Sequence, residues 1–218
     1  MKISSQYKTK EQEFLASLKL LNEDFYTRKD VVKIAKELLG KIVVTYFDEQ
    51  LTIARITETE AYNGAIDKAS HAYNNRRTKR TEIMYSSGGA AYVYLCYGIH
   101  HLFNVVTNIK DVPHAILIRS AEPIIGIDIM LERTGKPVLD KTLTKGPGNV
   151  GKAMGIFKHH SGLHLLDEII YITQDGCRYK ETEIGVSKRI GVESAGADGL
   201  LPYRFYVRGN RFVSGKNK

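Results

Sequence analysis

Two neighbouring segments constrain the fold more than anything else in this chain. IVVTYF (residues 42–47) and LTIARITETE (residues 51–60) are rich in β-branched and apolar residues and are separated by a short polar turn. Such a pair predicts an antiparallel hairpin and leaves no room for a helix through the same residues. Further along, residues 92–97 alternate Tyr92, Tyr94 and Cys96 against Val93, Leu95 and Tyr97, a strand with two usable faces. Residues 102–107, 115–119, 169–173 and 203–207 read as further strands. Helices are expected where apolar residues recur at helical spacing. Phe14, Leu18 and Leu21 do so, and so do Val31, Ala35, Leu38 and Leu39, a stripe that stops at Gly40 after Thr27 and Asp30, spaced as a capping box. Residues 123–133 and 147–156 are the other helices, the latter with proline in its first turn. Strands and helices mix without strict βαβ alternation, and no linker or repeat marks a boundary. The expectation is one α+β domain over residues 1–218, built on a mostly antiparallel sheet with a protruding β-hairpin. Residues 1–10 and 214–218 are expected to fray.

The 218 residues are enough to bury a sizeable core, and 43% hydrophobic with 26% charged residues is the balance of a soluble globular protein. The charge is less ordinary: 32 Lys and Arg against 24 Asp and Glu give +8. A basic domain of this size points to a polyanionic partner. Two cysteines exclude a disulfide framework and a cysteine-rich zinc site. Cys96, in an apolar strand pattern, reads as a buried reduced thiol. The opening MKISSQYKTKEQEF has neither the apolar core nor the cleavage site of a signal peptide, and no run approaches the ~20 apolar residues of a membrane span. A cytosolic protein without membrane contact is expected.

The chemistry concentrates between residues 54 and 107. Glu60, at the end of the second strand, could hold and deprotonate a water, although a solvated strand-end glutamate is the commoner case. Glu58 shares its strand face, so the two carboxylates need different environments if one is to act as a base. The run Arg76, Arg77, Lys79 and Arg80 can contact phosphates or can be a solvated loop. Tyr97 precedes Gly98, which places an aromatic ring at a hairpin tip where it can stack on bases. Seven histidines invite a metal reading, but there is no HExxH and no cysteine pair with zinc spacing, so neither a metal nor another cofactor is expected. Gly146, Gly148 and Gly151 spell GxGxxG, but Pro147 follows the first glycine and no strand leads in. This reads as a tight helix start.

Together the strings RITETEAY, SHAYNNRRT, AYVYLCYGIHHLFNV, ILIRSAEP, TKGPGNVGKAMGI, RIGVESAG and YRFYVRGN closely resemble the alkyladenine (3-methyladenine) DNA glycosylase family of the vertebrate type. They run in family order over nearly the whole chain. The resemblance implies a monofunctional base-excision-repair enzyme that flips alkylated or deaminated purines out of double-stranded DNA and hydrolyses the N-glycosidic bond. It implies a single mixed domain without a helix-hairpin-helix, acting as a monomer in the bacterial cytosol or, in a eukaryote, the nucleus. Carried over residue by residue, Glu60 is the general base, and Arg119 and the Val192 carbonyl help to hold the water. Tyr62, His71 and Tyr94 embrace the flipped base, Tyr97 fills the space it leaves, and Asn104 collides with the 2-amino group of guanine. Ile99, His100 and His101 depart from the family, whose vertebrate members have a Met and aromatics there. The alternatives are a non-catalytic nucleic-acid-binding module and a metal-dependent nuclease.

Overall fold

The computed structural model describes residues 9–167 and 169–215. The fraying expected at residues 1–8 and 216–218 lies outside the described residues. Thr9 and Lys10 already belong to the first helix, and Ser214 is buried, so the expected frayed ends were drawn too generously.

The strands are β1 (Lys19–Leu20), β2 (Ile42–Phe47), β3 (Gln50–Tyr62), β4 (Ala91–Cys96), β5 (His100–Thr107), β6 (His114–Ile125), β7 (Ile170–Gln174), β8 (Ile184–Ser187) and β9 (Arg204–Val207). Among the described residues they form one antiparallel sheet in the order β1-β7-β2-β3-β6-β5-β4, with β9 also on β3 and β8 on β9. The expected hairpin is β2–β3. Asp48 and Glu49 turn it with positive φ (49° and 61°), the I′-like twist that suits paired strands.

The helices α1 (Thr9–Ser17), α2 (Glu23–Tyr26), α3 (Val31–Glu37), α4 (Ile127–Thr134) and α5 (Pro147–Ala153) lie around this sheet. Val31, Ile34, Met130 and Val150 join Val43, Ala54, Ile56, Phe103 and Ile116 in the main core, while Phe14 and Leu15 cover Ile42, Val44 and Ile53 in a second cluster. Each fully buried Val, Ile, Phe or Met among them contributes about 1.5–3 kcal/mol. The first helix ends at Ser17, short of Leu18 and Leu21. The capping box is corrected too: Asp30 itself caps α3, accepting from the Lys33 N–H at 2.9 Å, and Thr27 ends α2.

One irregularity in β3 matters for everything that follows. Opposite β6, Ile56 faces Ala121, but Glu58 faces Ser120 and Thr59 faces Ile118, so each strand takes in an extra residue. The residues turned to the main core change from even (Ala54, Ile56) to odd (Ala61) in β3, and from odd (Ala121) to even (Ile118, Ile116) in β6. Without the bulge, Glu58 and Glu60 would point among apolar side chains. With it, they share the opposite face with Tyr62, Leu117 and Arg119.

Of the glycines of GPGNVG, Gly148 and Gly151 serve close packing. Gly146 precedes α5 at φ 94°, Pro147 occupies the first turn, and a Cβ on Gly151 would lie 2.2 Å from the His101 carbonyl oxygen of β5. Helix and sheet can approach this closely only without that side chain.

Candidate active site

Strand β3 runs on to Tyr62, so Glu60 sits inside the strand and not at its end. It is fully buried, held by two hydrogen bonds and an ion pair. The Ile190 N–H donates to Oε1 at 2.8 Å, the Tyr62 hydroxyl donates to Oε2 at 2.9 Å, and Arg119 Nη1 lies 3.3 Å from Oε2. A carboxylate has about four lone-pair positions, so one remains for a further proton donor. Burial pushes the Glu60 carboxyl above its ordinary value, against the pull of Arg119, the Ile190 amide and Tyr62. For Glu58, burial acts the same way, but Arg119 and Arg204 outweigh it and hold this carboxyl below the ordinary range. Two carboxylates two residues apart are thus driven in opposite directions.

Tyr62, Arg119 and Ile190, the groups around Glu60, line a cavity of about 890 Å³. His71, Tyr94, Asn104, Val192 and Tyr97 line the same cavity, as do Arg76 and Arg80. The bulge, the β4–β5 hairpin and the loop after β8 bring together residues far apart in sequence. Among these groups His71 is held most narrowly. Arg80 Nη2 lies 3.1 Å from Nε2 and can only donate, so Nε2 accepts and Nδ1 carries the proton toward the Tyr92 hydroxyl at 2.8 Å. Burial, with Arg80 and then Arg76 nearby, lowers the imidazole to about 4, so it is neutral at physiological pH. Its ring meets Tyr94 edge-on with centroids 4.6 Å apart, and Arg80 lies 4.9 Å over the Tyr94 ring. Asn104 donates through Nδ2 to the carbonyls of Tyr92 and Leu102, at 3.1 and 3.2 Å. The Val192 carbonyl accepts from the Ala195 N–H at 3.0 Å and keeps a second lone pair.

The basic loop divides. Arg77 is paired with both Glu82 and Asp111 and lies over the Tyr85 ring. With Lys79 it faces an adjoining groove that shares Arg80 and Tyr94 with the cavity. Cys96 is half-buried and borders the cavity, which corrects its expected burial; the hairpin carries it out of the core.

Tyr97 stands at the hairpin tip, 90% exposed and with φ 50°, followed by Gly98 at φ 74°. A left-handed non-glycine residue costs on the order of 1–3 kcal/mol. The ring recovers none of this from packing within the fold. Exposed Ile99 and Leu95 flank it. Tyr97→Ser is therefore expected to leave the melting temperature unchanged while weakening any partner that the ring engages; a clear loss of stability would show that the ring packs on the fold.

Sequence reasoning passed over Arg189 and Asp67. Arg189 is fully buried, bonded through Nη2 to Asp67 Oδ1 at 2.8 Å and to the Ala61 carbonyl through Nη1 at 2.8 Å, and stacked 4.8 Å over the Tyr62 ring. It opens the RIGVE string, and that was the available signal: an arginine beside residues already linked to the site. Among the described residues no three His, Cys, Asp or Glu side chains gather as metal ligands, and no helix is long and apolar enough to cross a membrane.

Comparison with known proteins agrees with this architecture. The sequence profile of the family described as Methylpurine-DNA glycosylase matches residues 24–211. Relatives named provisionally as 3-methyladenine DNA glycosylases include one from Clostridium novyi (strain NT), 44% identical over 91% of this chain and 100% of its own length. Another, from Alkaliphilus oremlandii (strain OhILAs), is 44% identical over 90% and 99%, and one from Chlamydia abortus (strain DSM 27085 / S26/3) is 45% identical over 86% and 98%. Sheet, cavity and sequence agree: the chain belongs to the methylpurine-DNA glycosylase family and is a monofunctional DNA glycosylase of base-excision repair.

Proposed function

We propose that this glycosylase acts as a monomer on double-stranded DNA, extrudes an alkylated or deaminated purine into the Tyr62–His71–Tyr94 cavity, and hydrolyses its N-glycosidic bond with a water activated by Glu60. The observation that carries the proposal is the buried Glu60 carboxylate, raised by desolvation, with one acceptor position open beside a cavity large enough to admit a base. Arg119 Nη1 and the Val192 carbonyl supply a donor and an acceptor for the same water. Extrusion costs a few kcal/mol, and stacking of Tyr97 in the vacated space returns about 1–3 kcal/mol. That return gives a function to a strained, exposed ring. The bacterial cytosol is the proposed compartment, by analogy with the bacterial relatives.

The test is incubation with duplexes carrying one hypoxanthine or one 3-methyladenine, followed by assay for the free base. Release of base and an intact abasic site is expected; no release from any alkylated or deaminated purine would overturn the proposal. Lys68 and Lys145 line the cavity, so the nucleophile needs its own control. Borohydride should trap no protein on DNA, because water and not an amine attacks. A covalent adduct at either lysine would replace the water mechanism. Tyr97→Ser should slow excision from fully paired duplexes most and from mispaired targets least, since less stacking must then be broken.

Phosphate contacts are assigned to Arg76, Arg77, Lys79 and Arg80, in unequal measure. Arg77 already faces two carboxylates. Replacing Arg76 with Ala should flatten the plot of log affinity against log salt by about 0.9, and replacing Arg77 should flatten it less. Equal slopes for the two variants would mean that the ion pairs open on DNA.

A further inference from the structure

Glu58 is fully buried beside the site, and the mechanism has no use for it. Its five donors saturate it. Arg119 Nε (2.9 Å), Arg204 Nε (2.6 Å) and Ser214 Oγ (2.8 Å) donate to Oε1, while Ser120 Oγ (3.0 Å) and the Ser214 N–H (2.6 Å) donate to Oε2. With every acceptor position taken, it has none left for substrate or water.

Its effect falls on Arg119. A guanidinium is planar and rigid, so fixing one edge fixes the direction of the other. Nε is held by Glu58 and Nη2 by Ser214 Oγ at 3.2 Å, which leaves Nη1 directed at Glu60. Arg204 is anchored in turn by Ser187 Oγ and by the Ser214 carbonyl. Glu58, Glu60, Arg119 and Arg204 make two charges of each sign. A simple ion pair of Arg119 with Glu60 would hold the base firmly ionised and weaken it. Sharing Arg119 between two carboxylates prevents that.

We propose that Glu58 is a positioning residue of the glycosylase, holding Arg119 with the help of Arg204 and Ser214 so that one guanidinium edge serves Glu60 and the attacking water. The proposal rests on the assignment of Glu60 as the base. Without Glu58, Arg119 is free to turn fully to Glu60 and a neighbouring negative charge is gone. Both changes favour ionised Glu60. The other groups around Glu60, namely the Ile190 amide, Tyr62, Tyr94 and Arg189, stay in place.

The test is the pH profile of single-turnover excision in three variants. Glu58→Gln leaves an excess buried cation, so the charge-balanced Glu58→Gln/Arg204→Gln accompanies it, together with Ser214→Ala, which removes contacts to both Glu58 and Arg119 without unpairing a charge. Excision at neutral pH should fall by about 10- to 100-fold in the glutamate variants, the scale of a small misplacement of catalytic groups, with lesion binding preserved. The acid limb should move to lower pH, less so in Ser214→Ala, and Glu58→Asp should return it toward the parent. A purely structural Glu58 would lower the melting temperature and leave the acid limb in place. An unmoved limb in every variant that folds, Ser214→Ala included, overturns the proposal. Glu60→Gln separates the two ideas: normal excision by that variant defeats the base assignment, whereas its inactivity alongside an unmoved limb in the Glu58 and Ser214 variants defeats only the positioning role.

Discussion

Glu60→Gln is expected to slow single-turnover excision by roughly 10²–10⁴, the scale for losing a general base, with binding to lesion DNA little changed. The substitution keeps the shape of the side chain, so Tyr62, Arg119 and the Ile190 amide remain around it. Its effect on stability has two opposing parts. Burial raises Glu60 in the folded state above its ordinary 4.5. A raised carboxyl contributes stability that is fully present below its unfolded value and is lost as pH rises through the folded value. At neutral pH the ionised carboxylate is therefore a cost, but Glu60→Gln removes it only by leaving a buried cation in excess and turning an amide N–H toward the donors around it. The same raised carboxyl places the acid limb of the parent's excision profile above 4.5. An acid limb at or below that value, or near-normal excision by the variant, would remove Glu60 from the mechanism.

How much of this was legible in the sequence depends on the length scale of the signal. Alternation over six to ten residues showed the β2–β3 hairpin and the strands around Tyr94 and Asn104. The motif strings showed the side chains that converge on the cavity. Events one residue long were not visible. The bulge beyond Ile56 exchanges core and site faces, yet it leaves a segment of mostly apolar and threonine residues looking like any other strand. Pro123 was placed at a helix start, whereas β6 runs through it and α4 begins after Gly126 at φ 73°. The reason is local. Ile53 pairs with Ile125 and Ala54 with Pro123, so the proline sits at a register break where its missing N–H costs no ladder bond. Strand β8 is four residues long, too short for its alternation to register. The bracket around Glu58 needs Arg204 and Ser214, which lie 146 and 156 residues away, so no local pattern could announce it.

Replacing Asn104 with Ala is expected to raise excision of normal guanine relative to hypoxanthine by roughly 5- to 150-fold, the equivalent of ~1–3 kcal/mol for a collision that strands a polar group. The two bases differ by the 2-amino group of guanine, and undamaged guanine outnumbers lesions, so the cavity needs a means of rejection. Asn104 is 3% exposed and borders the cavity. Its Nδ2 is committed to the carbonyls of Tyr92 and Leu102, which pins the amide and leaves Oδ1 as its free polar atom. Pinning makes a steric contact effective, because the amide cannot swing aside without giving up both bonds. An oxygen facing an amino group can also attract it, so distance decides the sign. If Oδ1 stands at hydrogen-bonding range, Asn104→Ala will lower guanine excision and the proposed role is reversed. If Asn104 only ties β4 to β5, the melting temperature and both activities will fall together with their ratio unchanged. Some loss of stability is expected in any case, since the Tyr92 and Leu102 carbonyls each lose a hydrogen bond. The ratio of guanine to hypoxanthine release, measured at a temperature where the variant is folded, is the quantity that separates the three.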